Sequence, residues 1–207
     1  QWLTIKPALQ DKFEIKTEDL FMSILPTATQ YSRNAIFAGM MPSDIQKVFP
    51  KYWKNDEDEG GKNMFEKEFF EYQMKHIDPS AKVSYNKITN HNAGKKLVDN
   101  FNQLLNNNVN VIVYNFVDML SHARTDMEVI RELADDEAAF RSLTNSWFEH
   151  SPLYDLFQKM ADQNCEVIIT TDHGMVKATE ASKIIGDKNT NTNLRYKQGK
   201  SLTYNEK

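Results

Sequence analysis

The stretch Val167-Ile168-Ile169-Thr170-Thr171-Asp172-His173-Gly174 restricts the possible folds more than any other part of the chain. A β-branched run stopped by a glycine predicts a buried strand of a parallel sheet over 167–171. Asp172 and His173 then fall at its C-terminal end, the edge at which open α/β sheets hold ligands. Carboxylate and imidazole are the oxygen and nitrogen donors that a divalent cation such as zinc accepts. Taken alone, the pair is equally well explained as an Asp capping a turn beside a surface His. A second apolar run changes the balance. Val111-Ile112-Val113-Tyr114-Asn115-Phe116-Val117 leads into Asp118, and His122 follows four residues later. If the backbone coils there, that spacing puts both on one face. Two strands, each delivering a carboxylate and an imidazole to one edge, predict a metal centre rather than two unrelated surface pairs.

A third segment belongs with these. Leu25-Pro26-Thr27-Ala28-Thr29 is a constrained turn, because proline fixes its own φ and drives its predecessor to extended geometry. The sequence QYSRNAIFAG over 30–39 predicts a helix, with Thr29 at the N-cap and Gly39 at the stop. A helix start offers free amides and the positive end of a dipole, which suit phosphate or sulfate. Arg33 and Asn34 in the first turns add donors for anionic oxygens. A threonine hydroxyl becomes a useful nucleophile only when a metal or a base activates it. The alternative for this segment is a capped helix with a solvated arginine.

Composition excludes several functions. A net charge of −4 over 207 residues gives no global basic field for nucleic acid or anionic lipid. No apolar run approaches a membrane span, and no basic-then-apolar leader opens the chain. The single cysteine, Cys165, cannot form an internal disulfide or a thiolate zinc cage, and reads as a small buried hydrophobe. A cytoplasmic setting without membrane insertion is therefore expected.

The remaining pattern alternates strand and helix, as a parallel α/β sheet requires. Short strands are expected at Phe13–Lys16 and Lys82–Thr89, and longer ones at Val109–Val117 and Glu166–Thr171. Helices are expected from Ser43 to Phe49, Lys62 to His76, Asn92 to Asn106, Met127 to Ala139, Phe140 to Glu149, and Ser151 to Asn164. Phe65, Phe69, Phe70 and Tyr72 form an aromatic stripe of the kind that builds cores. The acidic, glycine-ended stretch Asn55–Gly61 reads as a solvated surface loop, since it lacks the ligand spacing of a calcium loop. His76, His91 and His150 read as structural or exposed. No repeat or interdomain linker is visible, so residues 1–207 are expected to form a single domain.

Together PTATQYSRNAIFAG, VDMLSH and TTDHGM resemble the PglZ-type branch of the alkaline phosphatase superfamily, across essentially the whole chain. The nearest likeness is to output domains of the PorX response-regulator type, associated with type IX secretion. That resemblance implies a mostly parallel sheet flanked by helices, with two zinc ions at its C-terminal edge. Asp118 and His122 would hold one; Asp172 and His173 would hold the other, beside the nucleophile. The related phosphodiesterase pattern assigns the nucleophile to Thr29, with Thr27 the alternative. Arg33 and Asn34 would hold non-bridging oxygens. The implied activity is phosphodiester or phosphate ester hydrolysis, with cyclic or linear oligonucleotides among the substrates. The competing implication is a non-catalytic signalling module that contacts a sigma factor and secretion-system proteins, with phosphorylation-controlled homodimerisation.

The superfamily pattern has six protein ligands, of which four are placed here. Its first Asp-ended strand would precede Gln1, and its last His would follow His173, after which no histidine occurs. The expectation is a catalytic domain cut at both ends, with weak or absent zinc at one site and limited activity when it stands alone.

Overall fold

A computed structural model describes residues 2–56, 58, 60–115, 119–120, 123, 127–174, 180, 182–188, 190–191 and 196–204. The chain divides into two compact units, Gln1–Asp19 with Ser80–Ile168, and Leu20–Pro79 with Ile169–Lys207. Helices and a small parallel sheet make the protein α/β.

In the first unit, β1 (Val83–Ile88) and β2 (Val109–Tyr114) pair in parallel, from Val83 opposite Val109 to Ile88 opposite Tyr114. Both fall within the strands expected at Lys82–Thr89 and Val109–Val117. The entrance to this ladder is pinned by side chains. Lys82 N donates to Asn108 Oδ1 at 2.8 Å, and Ser84 Oγ donates to Asn110 Oδ1 at 2.6 Å. A parallel pair needs a crossover, supplied here by α5 (His91–Asp99) and α6 (Phe101–Leu104). Asn90 caps α5 by accepting from Ala93 N at 2.9 Å. Phe101 and Leu104 are buried against Leu156 of α9 (Pro152–Ala161). The helices α7 (Glu128–Leu133) and α8 (Glu137–Glu149) precede α9.

Residues 2–10 hold an element that the sequence pattern does not announce. Helix α1 (Trp2–Gln10) includes Pro7 and buries Leu9 with Phe148 and Phe157. Phe13–Lys16 is not a strand: it takes no ladder partner, and Phe13 packs edge-on against Phe157 at 6.0 Å. Tertiary packing of one aromatic outweighs a short alternation.

The second unit is built on α2 (Thr29–Ala38), α3 (Pro42–Val48) and α4 (Glu66–Ile77). Phe37 meets Phe70 edge-on at 6.4 Å, while Phe69 and Ile45 are buried. The aromatic stripe is core, as its spacing implied. Helix α2 ends on Gly39 at φ 62°, where a left-handed residue closes the last turn onto Ala35 O. The caps differ from expectation. Thr29 is the first helical residue and Ala28 the N-cap, without a side-chain bond, and Met41 rather than Ser43 precedes α3. Proline at the first position of α3 explains the earlier start, because its fixed φ suits the first helical residue. The unit also holds an antiparallel pair, β3 (Ile184–Gly186) with β4 (Leu202–Tyr204).

The largest correction concerns 167–171. This stretch is not a sheet strand: Ile168 is 85% exposed and Ile169 45% exposed. Branching at Cβ favours an extended backbone, but only a neighbouring strand can bury it, and none among the described residues pairs with it. Cys165 is likewise exposed rather than buried, its thiol 3.5 Å from Met160 O.

Candidate active site

The site is assembled in the second unit around the start of α2. After Pro26 the chain folds tightly, with Ala28 N donating to Pro26 O at 2.7 Å. Helix α2 then begins at Thr29, and Ser32 Oγ donates back to Ala28 O at 2.9 Å. Ala28 offers no side-chain cap, so the positive end of the helix dipole is not met by a capping side chain at that position.

Thr29 Oγ1 lies 3.3 Å from His173 Nε2, a contact between residues 144 apart in sequence. The same nitrogen is 3.7 Å from Asp172 Oδ2. Both side chains are largely shielded, His173 at 14% and Asp172 at 17% exposure. Two further bonds set the local geometry. Ser23 Oγ donates to Asp172 O at 2.7 Å, and Thr171 Oγ1 donates to His173 O at 2.9 Å. His173 Nδ1 is 3.0 Å from Gly174 O, which can only accept. Nδ1 therefore carries a proton, and in the neutral imidazole the Nε2 lone pair faces Thr29 and Asp172.

This donor set can be tested against a metal. A tetrahedral zinc with bonds of about 2.0–2.1 Å has ligand–ligand edges of about 3.4 Å. The 3.3 and 3.7 Å separations around Nε2 bracket that value. Asp172 Oδ2 is buried and has no hydrogen-bond partner, an arrangement that costs energy unless a cation completes it. Two of the three edges of a Thr29–Asp172–His173 set thus lie near those of a tetrahedral zinc. No group of three or more His, Cys, Asp and Glu side chains converges among the described residues. Asp118 and His122, the other predicted pair, lie outside those residues.

The chain as a whole, residues 1–207, matches the family model described as the BREX system PglZ alkaline phosphatase-like domain. It belongs to that PglZ family. The family places the protein among phosphoesterase-type hydrolases. No curated protein matches the chain. Among the described residues, no helix is long and apolar enough to cross a membrane.

Within this PglZ domain, Arg33 and Asn34 have other partners. Arg33 Nε pairs with Glu66 Oε1, and Glu66 is 1% exposed. Asn34 is buried; its Nδ2 donates to Lys62 O at 3.1 Å, and its Oδ1 accepts from Asn63 Nδ2 at 3.3 Å. Asn63 Nδ2 also reaches Thr29 O at 3.1 Å. These bonds brace α2 against the 62–66 segment and so hold Thr29 from behind. Helical spacing alone does not distinguish such bracing from oxyanion contact.

The sequence reading also passed over Asp56. Rather than lying in a solvated excursion, its carboxylate accepts from Gln30 Nε2, from Asn191 Nδ2 at 2.9 Å and from Tyr196 OH at 2.8 Å. Burial raises the Asp56 pKa, but hydrogen bonds from Asn191, Tyr196, Gln30 and Tyr31 outweigh it and hold the carboxyl below its ordinary range. Tyr196 is pushed the other way, by burial first and then by its bond to Asp56. The one local signal for this role was an acidic run that stops at two glycines. His76 and His150 are exposed, each with Nδ1 near the carbonyl four residues earlier, as a structural reading of both requires.

Proposed function

We propose that this PglZ domain is a zinc-dependent phosphodiesterase or phosphatase that uses Thr29 as its nucleophile. The observation that carries the proposal is the 3.3 Å approach of Thr29 Oγ1 to His173 Nε2, beside the unpartnered Asp172 Oδ2. Asp172 and His173 would hold one zinc; Asp118 and His122 are the pair proposed for a second. Bound zinc supplies Lewis acidity, lowering the pKa of a hydroxyl and neutralising charge on phosphoryl oxygens.

The chain's own residues supply the rest. Thr29 Oγ1 attacks phosphorus as the bond from phosphorus to the leaving oxygen breaks, the threonine proton ending on that leaving oxygen. Water then attacks the phosphothreonine, the bond from phosphorus to Oγ1 breaks, phosphate departs with its remaining ester group, and Oγ1 takes the proton that the water gives up. The start of α2 stabilises negative charge as it develops at Oγ1, since the helix dipole already points there. Ser23 and the His173 Nδ1–Gly174 O contact fix the directions from which Asp172 and His173 approach. Phosphodiesters, including cyclic or linear oligonucleotides, are the proposed substrates. A response-regulator output role, with sigma-factor and secretion-system partners, is the setting proposed from the PorX-type likeness.

The test is hydrolysis of bis-nitrophenyl phosphate in the presence of zinc, alongside zinc titration calorimetry. Thr29→Ala should reduce turnover to the buffer level yet retain zinc. Asp172→Ala should lose both turnover and the tighter zinc binding. Turnover that survives both substitutions would sink the catalytic assignment and leave the signalling role.

A further inference from the structure

We propose that Asp56 is a positioning residue for the Thr29 site, a role that rests on the hydrolase reading above. Its carboxylate joins the first turn of α2 to the 191–198 segment, and through that joint it sets the direction of Thr29 Oγ1. Gln30, the residue that follows Thr29, donates to it through its side-chain amide. From the far end of the sequence come Asn191 and Tyr196, 135 and 140 residues away, at 2.9 and 2.8 Å. Three donors fill most of the capacity of a carboxylate, which accepts about four hydrogen bonds.

The parts joined to Asp56 are themselves braced. Asn191 N donates to Gln198 O at 3.0 Å, and Gln198 N donates to Asn191 Oδ1 at 3.1 Å, tying these two residues to each other. On the other side, Tyr31 packs on Trp53 at 6.0 Å between ring centres, and Trp53 Nε1 donates to Asn55 Oδ1 at 3.0 Å. A helix whose N-cap is Ala28, with no side-chain bond, frays at its first turn unless something else holds it. Asp56 holds it through the side chain of Gln30. An in-line attack tolerates little error, so loosening this turn acts on turnover rather than on substrate binding.

The experiment compares Asp56→Asn, Asp56→Glu and Tyr196→Phe with the unmodified chain. The readouts are steady-state hydrolysis of bis-nitrophenyl phosphate with zinc, and amide hydrogen exchange at Gln30 and Tyr31. For Asp56→Asn, kcat should fall at least about tenfold with KM changed by no more than about twofold. Exchange at both amides should accelerate, and Asp56→Glu should recover part of each effect. A kcat that is unchanged, or a loss carried by KM, overturns the proposal. If Asp56→Asn does not fold, Tyr196→Phe removes a single donor and is expected to show the same pattern in smaller measure; its failure to do so overturns the proposal as well. If the unmodified chain hydrolyses no faster than Thr29→Ala, the hydrolase reading fails on its own. Exchange then decides the joint separately, and unchanged rates at Gln30 and Tyr31 refute it.

Discussion

Replacing Gly94 by alanine tests the packing of the parallel pair against its helices. In a free helix, Gly→Ala is stabilising by about 0.8–1 kcal/mol, because glycine loses more backbone entropy on folding. Gly94 lies within α5, but a Cβ there would sit 2.6 Å from Tyr114 Oη, 2.9 Å from Pro152 Cβ and 3.2 Å from Pro152 Cγ. Carbon pairs prefer about 3.5–4.0 Å. Tyr114 ends β2, and its hydroxyl can swing aside; Pro152 is a rigid ring, buried at the start of α9, and cannot. Overpacking of this kind costs about 1–3 kcal/mol. Subtracting the propensity gain leaves a net loss of up to about 2 kcal/mol, or up to about 8 °C in Tm for a chain of this size. Thermal melts and urea midpoints with unchanged slope measure it. Adding Tyr114→Phe relieves only the hydroxyl contact, so the double variant should recover part of the loss. A Gly94→Ala protein that melts higher than the parent would refute this packing, and with it the close fit of α5 between the end of β2 and α9.

Further outcomes follow from the same structure. Because Asp56 has a lowered pKa, its contribution to stability is complete above the unfolded value, about 3.9, and is lost as pH falls through the folded value. The stability gap between parent and Asp56→Asn should be level from pH 5 to 7 and shrink below about pH 4; urea midpoints across that range would expose a gap that widens instead. Asp136 caps α8 by accepting from Ala139 N at 2.7 Å, so Asp136→Ala should cost about 1 kcal/mol in denaturant titrations. A cost near zero would mean that the cap does not form in solution. Asn90→Ala at the start of α5 provides a parallel measurement.

Much of the architecture was legible in local pattern. The strands expected at Lys82–Thr89 and Val109–Val117 became the parallel pair 83–88 and 109–114, and the aromatic spacing of α4 became core, where helical period and burial agree. Gly39 stopped α2 for the reason glycine usually stops helices. The run at 167–171 shows the opposite case: its composition asked for a strand, and no described neighbour supplies the hydrogen bonds that make one. Helix α1 is masked locally because Pro7 interrupts its short stripe of Trp2, Ile5 and Leu9, and the partners Phe148 and Phe157 lie far along the chain.

Local sequence was enough for the chemical inventory: a threonine after a proline turn, and an adjacent Asp-His pair after an apolar run. It determined those because ligand chemistry and turn chemistry belong to individual residues. Packing of the folded chain was needed to bring Thr29 and His173 to 3.3 Å, to bury Asp172 Oδ2 without a hydrogen-bond partner, and to gather donors to Asp56 from both ends of its unit. Contacts between residues more than a hundred positions apart leave no trace in local spacing, because they are formed by the packing of whole elements rather than by the neighbours of either residue.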